Sequence, residues 1–414
     1  MELYYSFSVL IVLASLFAYV NHRFLKLPST IGIMTMAIIV SIIIRFAGDL
    51  FFPHFSSDIV GLISSLDFTE VLMGAMLNFL LFAGAIHVNF ADLREQRLPV
   101  LTFSTLSVVL SAAVIGALLF YIIPLFGHDL PFIYCLLFGA LISPTDPIAV
   151  LGILKKANVP KSLETKIAGE SLFNDGVAVV LFAVILQLTQ SSGPELTLGS
   201  VSWLLAKEAV GGIILGIVLG YTASNAIKGI DDYIVSVLIT LSVVMGGYLI
   251  AHAIHISGPL TMVAAGLIIG NYGKRVAMSP ETKDYLTKFW ELIDEILNAI
   301  LFLFIGFELL VITDLKSYWL ISVVAIGVVL FARFLSIWIP SLVVPFKPKF
   351  SRGTLTVLVW GGLRGGVSIA LVLSVSSPLY KDLLLEMTYF VVVFSILVQG
   401  LTIGKVSNKA LKSV

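Results

Sequence analysis

A lone cysteine, Cys135, leaves no partner for an intramolecular disulfide and excludes a cysteine-based metal cage. Charge is also scarce: 12% of the 414 residues are Asp, Glu, Lys or Arg, and 58% are hydrophobic. Soluble domains carry about 25% charged residues. Basic and acidic residues, 25 of each, cancel, so the charge balance offers nothing for nucleic acid or an acidic macromolecule to bind. No basic residue precedes Arg23. The N-terminus therefore lacks the n-region of a signal peptide and reads as a retained first span. Neither H-E-x-x-H nor G-x-S-x-G occurs, which argues against an intramembrane hydrolase, and the chain is not read as an enzyme. No low-complexity segment is visible, and the chain stops soon after its last apolar run. A single transmembrane domain over 1–414 without a soluble regulatory domain is expected.

What is present is long apolar runs, with a mean hydropathy of +1.05. A surface this apolar needs lipid as its solvent. Runs at 4–21, 29–47, 69–90, 99–124, 131–154, 163–189, 202–227, 232–253, 256–272, 286–312, 317–345, 352–376 and 383–404 have spanning length, so an all-α polytopic membrane protein of about thirteen spans is predicted. The polar stretch 49–66 reads as a loop with a short interfacial helix. Lys and Arg test the count, because cytoplasmic loops collect them. One set of alternate loops runs from Arg23 and Lys26 through Arg94, Lys155, Lys228, Lys274 and Lys347 to Lys405, whereas the opposite set holds only Lys316 and Lys381. The N-terminus is thus expected outside and the C-terminus in the cytoplasm, with the plasma (inner) membrane as the site.

Two spans are interrupted. Span five carries Ser143-Pro144-Thr145-Asp146-Pro147, whose prolines remove helix hydrogen bonds and clash with the preceding turn. Span twelve carries Gly361-Gly362-Leu363-Arg364-Gly365-Gly366, where glycine permits a break by another route. The breaks lie seven spans apart. That spacing suits two repeats, spans 1–6 over about 1–190 and spans 8–13 over about 232–404, joined by span seven at about 202–227; the odd offset makes them inverted. Paired interruptions of this kind mark transporter binding sites. Asp146 in one break and Arg364 in the other suit the opposite dipoles of crossed half-helices, a structural role.

Span six contains Gly169-Glu170-Ser171-Leu172-Phe173-Asn174-Asp175. At about 100° per residue, Ser171 and Asp175 share a face, Glu170 and Asn174 share another, and Glu170 and Asp175 diverge. Asp175 is too far beyond Lys166 to snorkel to the interface. Arg333, deep in span eleven, requires a fixed anion, and Glu170 is the best candidate. Asp175 is left as the buried carboxylate without a permanent counter-charge. Such a group takes up a proton or a metal cation when desolvated, and competition between the two at one site makes an exchanger. Asp175, the Ser171 hydroxyl and a freed carbonyl near Thr145 would offer Na⁺ hard ligands.

Together with Ser257-Gly258-Pro259 and the run Phe302-Leu303-Phe304-Ile305-Gly306-Phe307-Glu308, these stretches resemble the monovalent cation:proton antiporters of the NhaP/NHE type, in order and over most of the chain. The resemblance implies an inverted-repeat fold, a homodimer in membrane lipid with a mobile core, and electroneutral exchange of Na⁺ or Li⁺ for H⁺ without a cofactor. It implies Asn174 and Asp175 as the Asn–Asp pair, Thr145 and Ser171 as cation ligands, and Glu170–Arg333 as a brace. Several relatives carry a glutamate in span three in a Phe-x-Glu-Gly context. Here Leu81-Phe82-Ala83-Gly84 has none, so coordination must draw on water or other oxygens.

The remaining polar residues have ordinary readings. His87, His252 and His255 are interfacial, Arg45 and Lys207 snorkel, Glu291, Asp294 and Glu295 form a solvated face, and Glu308 reaches the outer interface. The oxygen ligands leave K⁺/H⁺ exchange open beside Na⁺/H⁺ exchange. A passive cation channel would need a continuous polar pore or filter, and no such pattern is found.

Overall fold

The computed structural model describes residues 2–45, 71–156, 159–190, 198–311, 317–346, 349–375 and 377–412. The stretch 49–66 lies outside them. Among the described residues the fold is all helical. The principal helices are α1 (Glu2–Val20), α2 (Ser29–Ile43), α3 (Leu77–His87), α4 (Leu106–Ile122), α5 (Phe132–Ile142), α6 (Ile148–Lys156), α7 (Lys161–Gln190) and α8 (Leu198–Lys228). They continue as α9 (Tyr233–Ala253), α10 (Gly258–Ile268), α11 (Pro280–Val311), α12 (Trp319–Val343), α13 (Arg352–Trp360), α14 (Gly366–Leu373), α15 (Pro378–Phe394) and α16 (Leu401–Lys412). Each expected span falls on one of these helices or on a broken pair. Span five is α5 and α6, span six is α7, span ten is α11, span eleven is α12, and span twelve is α13 and α14.

Among the described residues, seven helical stretches are long and apolar enough to cross a membrane on their own, with shorter apolar helices at Ser29–Ile43, Gly74–His87 and Phe132–Ile142. Charge explains why α11 is not among the seven: its first half is rich in Asp, Glu and Lys, and its last turns are apolar. Side chains on the outer faces of α1, α8 and α9, such as Val12, Val210, Ile214, Leu238 and Leu249, are exposed. In lipid that exposure is favourable, so the apolar outside and the packed inside follow from one composition.

Helix packing relies on small residues. Gly212, Gly216 and Gly220 recur every fourth residue on α8, and a Cβ at Gly216 would collide with the Thr261 carbonyl of α10. Lipid tails are as apolar as leucine, so such interfaces gain from close backbone approach. The sequence around Ser257 explains where α10 starts. Ser257 Oγ accepts from the Leu260 N–H at 3.3 Å, and Pro259 occupies the first turn, where its missing N–H costs nothing. Nearby, the fully buried Trp290 of α11 packs on Phe82 with ring centroids 4.5 Å apart and donates to Thr240 Oγ1 at 3.1 Å.

Three expectations are corrected. Glu308 does not reach an outer interface: it is 2% exposed, within electrostatic range of Lys381 and Tyr389. The last turns of α11 run through the protein core rather than along lipid, which turns this side chain inward. Arg45 donates to the Leu309 carbonyl at 2.9 Å, tying the end of α2 to that of α11. Asp294 is half-buried on a cavity wall rather than on a solvated face.

Candidate cation-binding site

The two interruptions cross. Breaking a helix inside a membrane frees backbone groups that lipid cannot satisfy, and here their partners can be traced. The Asp146 N–H donates to the Leu363 carbonyl at 2.8 Å, joining one break directly to the other. The Arg364 guanidinium donates to the carbonyls of Ser143 and Pro144 at 2.5 and 2.9 Å, where α5 ends. A fixed cation thus sits at the negative end of a half-helix. Asp146 packs against Gly365, the residue that caps the N-terminus of α14, so closely that a Cβ there would collide with its carboxylate.

The glycine break draws further support from the π-helical turn Ser395–Gly400 that follows α15. Ser395 Oγ accepts from the Arg364 N–H at 2.8 Å and donates to Gln399 Oε1 at 2.8 Å. Gln399 Nε2 in turn donates to the Trp360 carbonyl at 3.0 Å. Neither Ser395 nor Gln399 is singled out by sequence. The available signal was two polar residues at i, i+4 in an apolar span.

Glu170 and Asp175 point to different neighbours, as their angular separation on α7 requires. Glu170 Oε1 lies 2.5 Å from Arg333 Nη1, and both side chains are buried. Arg333 Nη2 also donates to the Leu358 carbonyl of α13 at 2.9 Å, so one guanidinium links α7, α12 and α13. Gly362 makes room for it: a Cβ at that position would stand 2.5 Å from Arg333 Nε. Asp175 takes part in none of the ion pairs found among the described residues. Asp146 and Arg364 are within electrostatic range of it.

Thr145, Ser171 and Asn174 form one buried cluster. Asn174 Nδ2 donates to Thr145 Oγ1 at 2.7 Å, and Asn174 Oδ1 accepts from the Thr145 N–H at 3.3 Å. Thr145 Oγ1 and Ser171 Oγ share a hydrogen bond of 2.9 Å. Both amide atoms of Asn174 are therefore engaged in holding the unwound segment against α7.

Thr145, Asp146 and Asp175 lie on the wall of a cavity of about 730 Å³, whereas Ser171 and Asn174 stand behind it. The cavity runs from a rim at His87, Asp92 and the exposed Lys161 to buried Thr145, Asp175, Asn298 and Ser368. Its wall is acidic. Asp92, Asp146, Glu164, Asp175, Glu291, Asp294 and Glu295 line it, with Lys161 the only Lys or Arg among the described lining residues. Lys161 is itself paired with Asp92 at 2.8 Å. A concave wall of one sign concentrates cations. Ala83 is fully buried and absent from this wall, while Gly84 contributes to it. No group of three or more His, Cys, Asp or Glu placed to hold a metal ion occurs among the described residues.

Asn298 and Ser368 were not picked out from sequence. For Asn298 a signal existed: Glu291, Asp294 and Asn298 recur at helical spacing along α11, ahead of Leu301. Ser368 follows the glycine break in an otherwise apolar stretch and carries no such signal.

Residues 11–409 match the transmembrane sodium/hydrogen exchanger family. The chain is 50% identical over 401 residues to the Na(+)/H(+) antiporter NhaP of Pseudomonas aeruginosa, covering 95% of this chain and 94% of that protein. It is 36% identical over 345 residues to the Na(+)/H(+) antiporter NhaH of Halobacillus dabanensis, covering 83% of each. The solved structure of the sodium proton antiporter MjNhaP1 from Methanocaldococcus jannaschii superposes with a TM-score of 0.78 over 99% of this chain and 100% of that one, at 20% identity, a likeness of fold. A family match over nearly the whole length, beside a relative sharing half its residues, places this chain in the sodium/hydrogen exchanger family.

Proposed function

We propose that the protein is a secondary active antiporter that exchanges Na⁺, with Li⁺ as a second substrate, for H⁺ by alternating access. The carrying observation is the contrast within α7. Glu170 is committed to Arg333, while Asp175 stands on the wall of an acidic cavity, in no ion pair among the described residues. An unpaired buried carboxylate accepts either a proton or a desolvated cation. Each displaces the other, so each transport step carries one of them. One such group implies 1:1, electroneutral exchange.

The hydroxyl oxygens of Thr145, on the cavity wall, and of Ser171, bonded to it behind that wall, are assigned to the cation with Asp175, and Asn174 acts on the site through Thr145. Asp146 and Arg364 hold the crossed half-helices, and Glu170–Arg333 braces α7 against the second interrupted span. The inverted-repeat reading, with spans 1–6 and 8–13 as the two units, supplies the symmetry by which one site meets both sides. The cavity lies at the end of the bundle that carries the basic loops, which positive-inside bias assigns to the cytoplasm. The protein is assigned to the plasma membrane as a homodimer.

The experiment is dissipation of a preformed pH gradient in vesicles containing the purified protein. Na⁺ and Li⁺ are expected to collapse the gradient, and an imposed membrane potential to leave the rate unchanged. A response to K⁺ alone would replace this reading with K⁺/H⁺ exchange. Na⁺ current without proton movement would indicate a channel.

A further inference from the structure

Asn298 Oδ1 and Ser368 Oγ are buried oxygens with no hydrogen-bond partner among the described residues. Both residues are 1% exposed, and both belong to the wall of the cavity that holds Asp175. Leaving a buried polar group without a partner is costly, which is why nearly all find one. Two residues of one cavity wall thus each hold an unpartnered oxygen, which suggests that the missing partner is the cavity's occupant.

The orientation of Asn298 is set by chemistry. Its Nδ2 donates to the Asp294 carbonyl at 2.8 Å and to Asp294 Oδ1 at 3.1 Å. Turning the amide over would set oxygen against two oxygens. The amide oxygen is thus directed away from Asp294, with no donor to meet it. Ser368, in the first turn of α14, makes no bond to a preceding carbonyl, although serines in this protein commonly do so, as Ser143 and Ser224 show. The two elements are packed together: the Leu301 side chain of α11 lies where a Cβ of Gly366 in α14 would be. Asp146 is within electrostatic range of both Asp175 and Asp294, which places the acidic groups of α7 and α11 around one space.

By contrast, Thr145 Oγ1 already accepts from Asn174 and shares a bond with Ser171, which leaves it one lone pair at most for an ion, so the shell needs further oxygens. We propose that Asn298 Oδ1 and Ser368 Oγ are cation ligands that complete the shell begun by Asp175 and Thr145. This rests on the antiport reading and adds to it that α11 and α14 also hold the ion. Both atoms are hard neutral oxygens, suited to an alkali cation. Neither binds a proton near neutral pH, so they favour the cation over the proton at a site where the two compete.

The test uses the full chain in vesicles, with Na⁺ and Li⁺ titrated against gradient dissipation. Ser368→Ala and Asn298→Ala are each expected to raise the KM for Na⁺ about tenfold, the equivalent of about 1.4 kcal/mol. The rate at saturating Na⁺ should be retained, and the Na⁺-to-Li⁺ preference should change. A purely structural role predicts an unchanged KM and ion preference for Ser368→Ala, because deleting an unpartnered buried hydroxyl leaves packing intact. That variant keeps the test decisive even where Asn298→Ala, which loses two bonds to Asp294, fails to fold. Wild-type KM and ion preference in Ser368→Ala would overturn the proposal. Wild-type protein that moves no protons with Na⁺ would instead sink the antiport reading. The ligands are then judged by the rise in Tm that Na⁺ gives the detergent-solubilised chain, which Ser368→Ala should diminish.

Discussion

Asp175 and Glu170 are five residues apart on one helix, and their different environments follow from that spacing. A helical turn directs them to different neighbours, and only Glu170 meets a guanidinium. Asp175→Asn removes the exchangeable charge and keeps the side-chain volume. It should abolish Na⁺-driven proton movement in vesicles while leaving a monodisperse, folded protein; retained exchange would remove Asp175 from the mechanism. Arg333→Ala strands Glu170 as a buried, unpaired carboxylate, at a cost of about 3–5 kcal/mol. Its Tm should fall well below that of Asp175→Asn, and Glu170→Gln in the same chain should recover part of the loss. Additive effects in that double-mutant cycle would mean that the contact carries no coupling. Glu308 shows where reading single residues fails. Its position near the end of an apolar run suggests an interface, but an apolar run does not say whether its end abuts lipid or protein.

Among elements, the interrupted helices were legible because proline and glycine act through the local backbone. Which groups would satisfy the freed carbonyls was not legible. Arg364 reaches Ser143 and Pro144 across more than two hundred residues of chain, and Gln399 reaches Trp360 from a π-helical turn that no local signal announced. The α8–α10 contact makes a prediction at this scale. Gly216→Ala places a methyl group against the Thr261 carbonyl, so it should lower Tm and folded yield. Gly246→Ala in α9 meets nothing within 4 Å and should raise stability by about 0.5–1 kcal/mol through helix propensity. The pair, compared by thermal unfolding in detergent, separates close packing from propensity. Equal effects would show that the α8–α10 approach is not limiting.

For the whole molecule, competition between Na⁺ and H⁺ gives a pH dependence with a definite sign. Where protons occupy the site, the KM for Na⁺ should rise about tenfold for each unit of falling pH, while the rate at saturating Na⁺ changes little. A KM independent of pH would separate the two ions onto different groups. Orientation is testable in the same protein. A reporter fused after Val414 should lie in the cytoplasm, and an outside location would reverse the sense in which the cavity faces.

Sequence by itself determined that the chain is a helical membrane protein, where its spans lie, where two of them break, and that one helix carries two carboxylates with different partners. These properties arise from composition and from backbone and helix geometry, which act over a few residues. Tertiary structure alone decided that Arg364 caps α5, that Glu308 is buried, that Asp294 lines a cavity, and that Asn298 and Ser368 join Asp175 on its wall. Those outcomes depend on which helix faces meet. In lipid that choice rests on small-residue fit and on satisfying buried polar groups, which are properties of pairs of helices and not of either one alone.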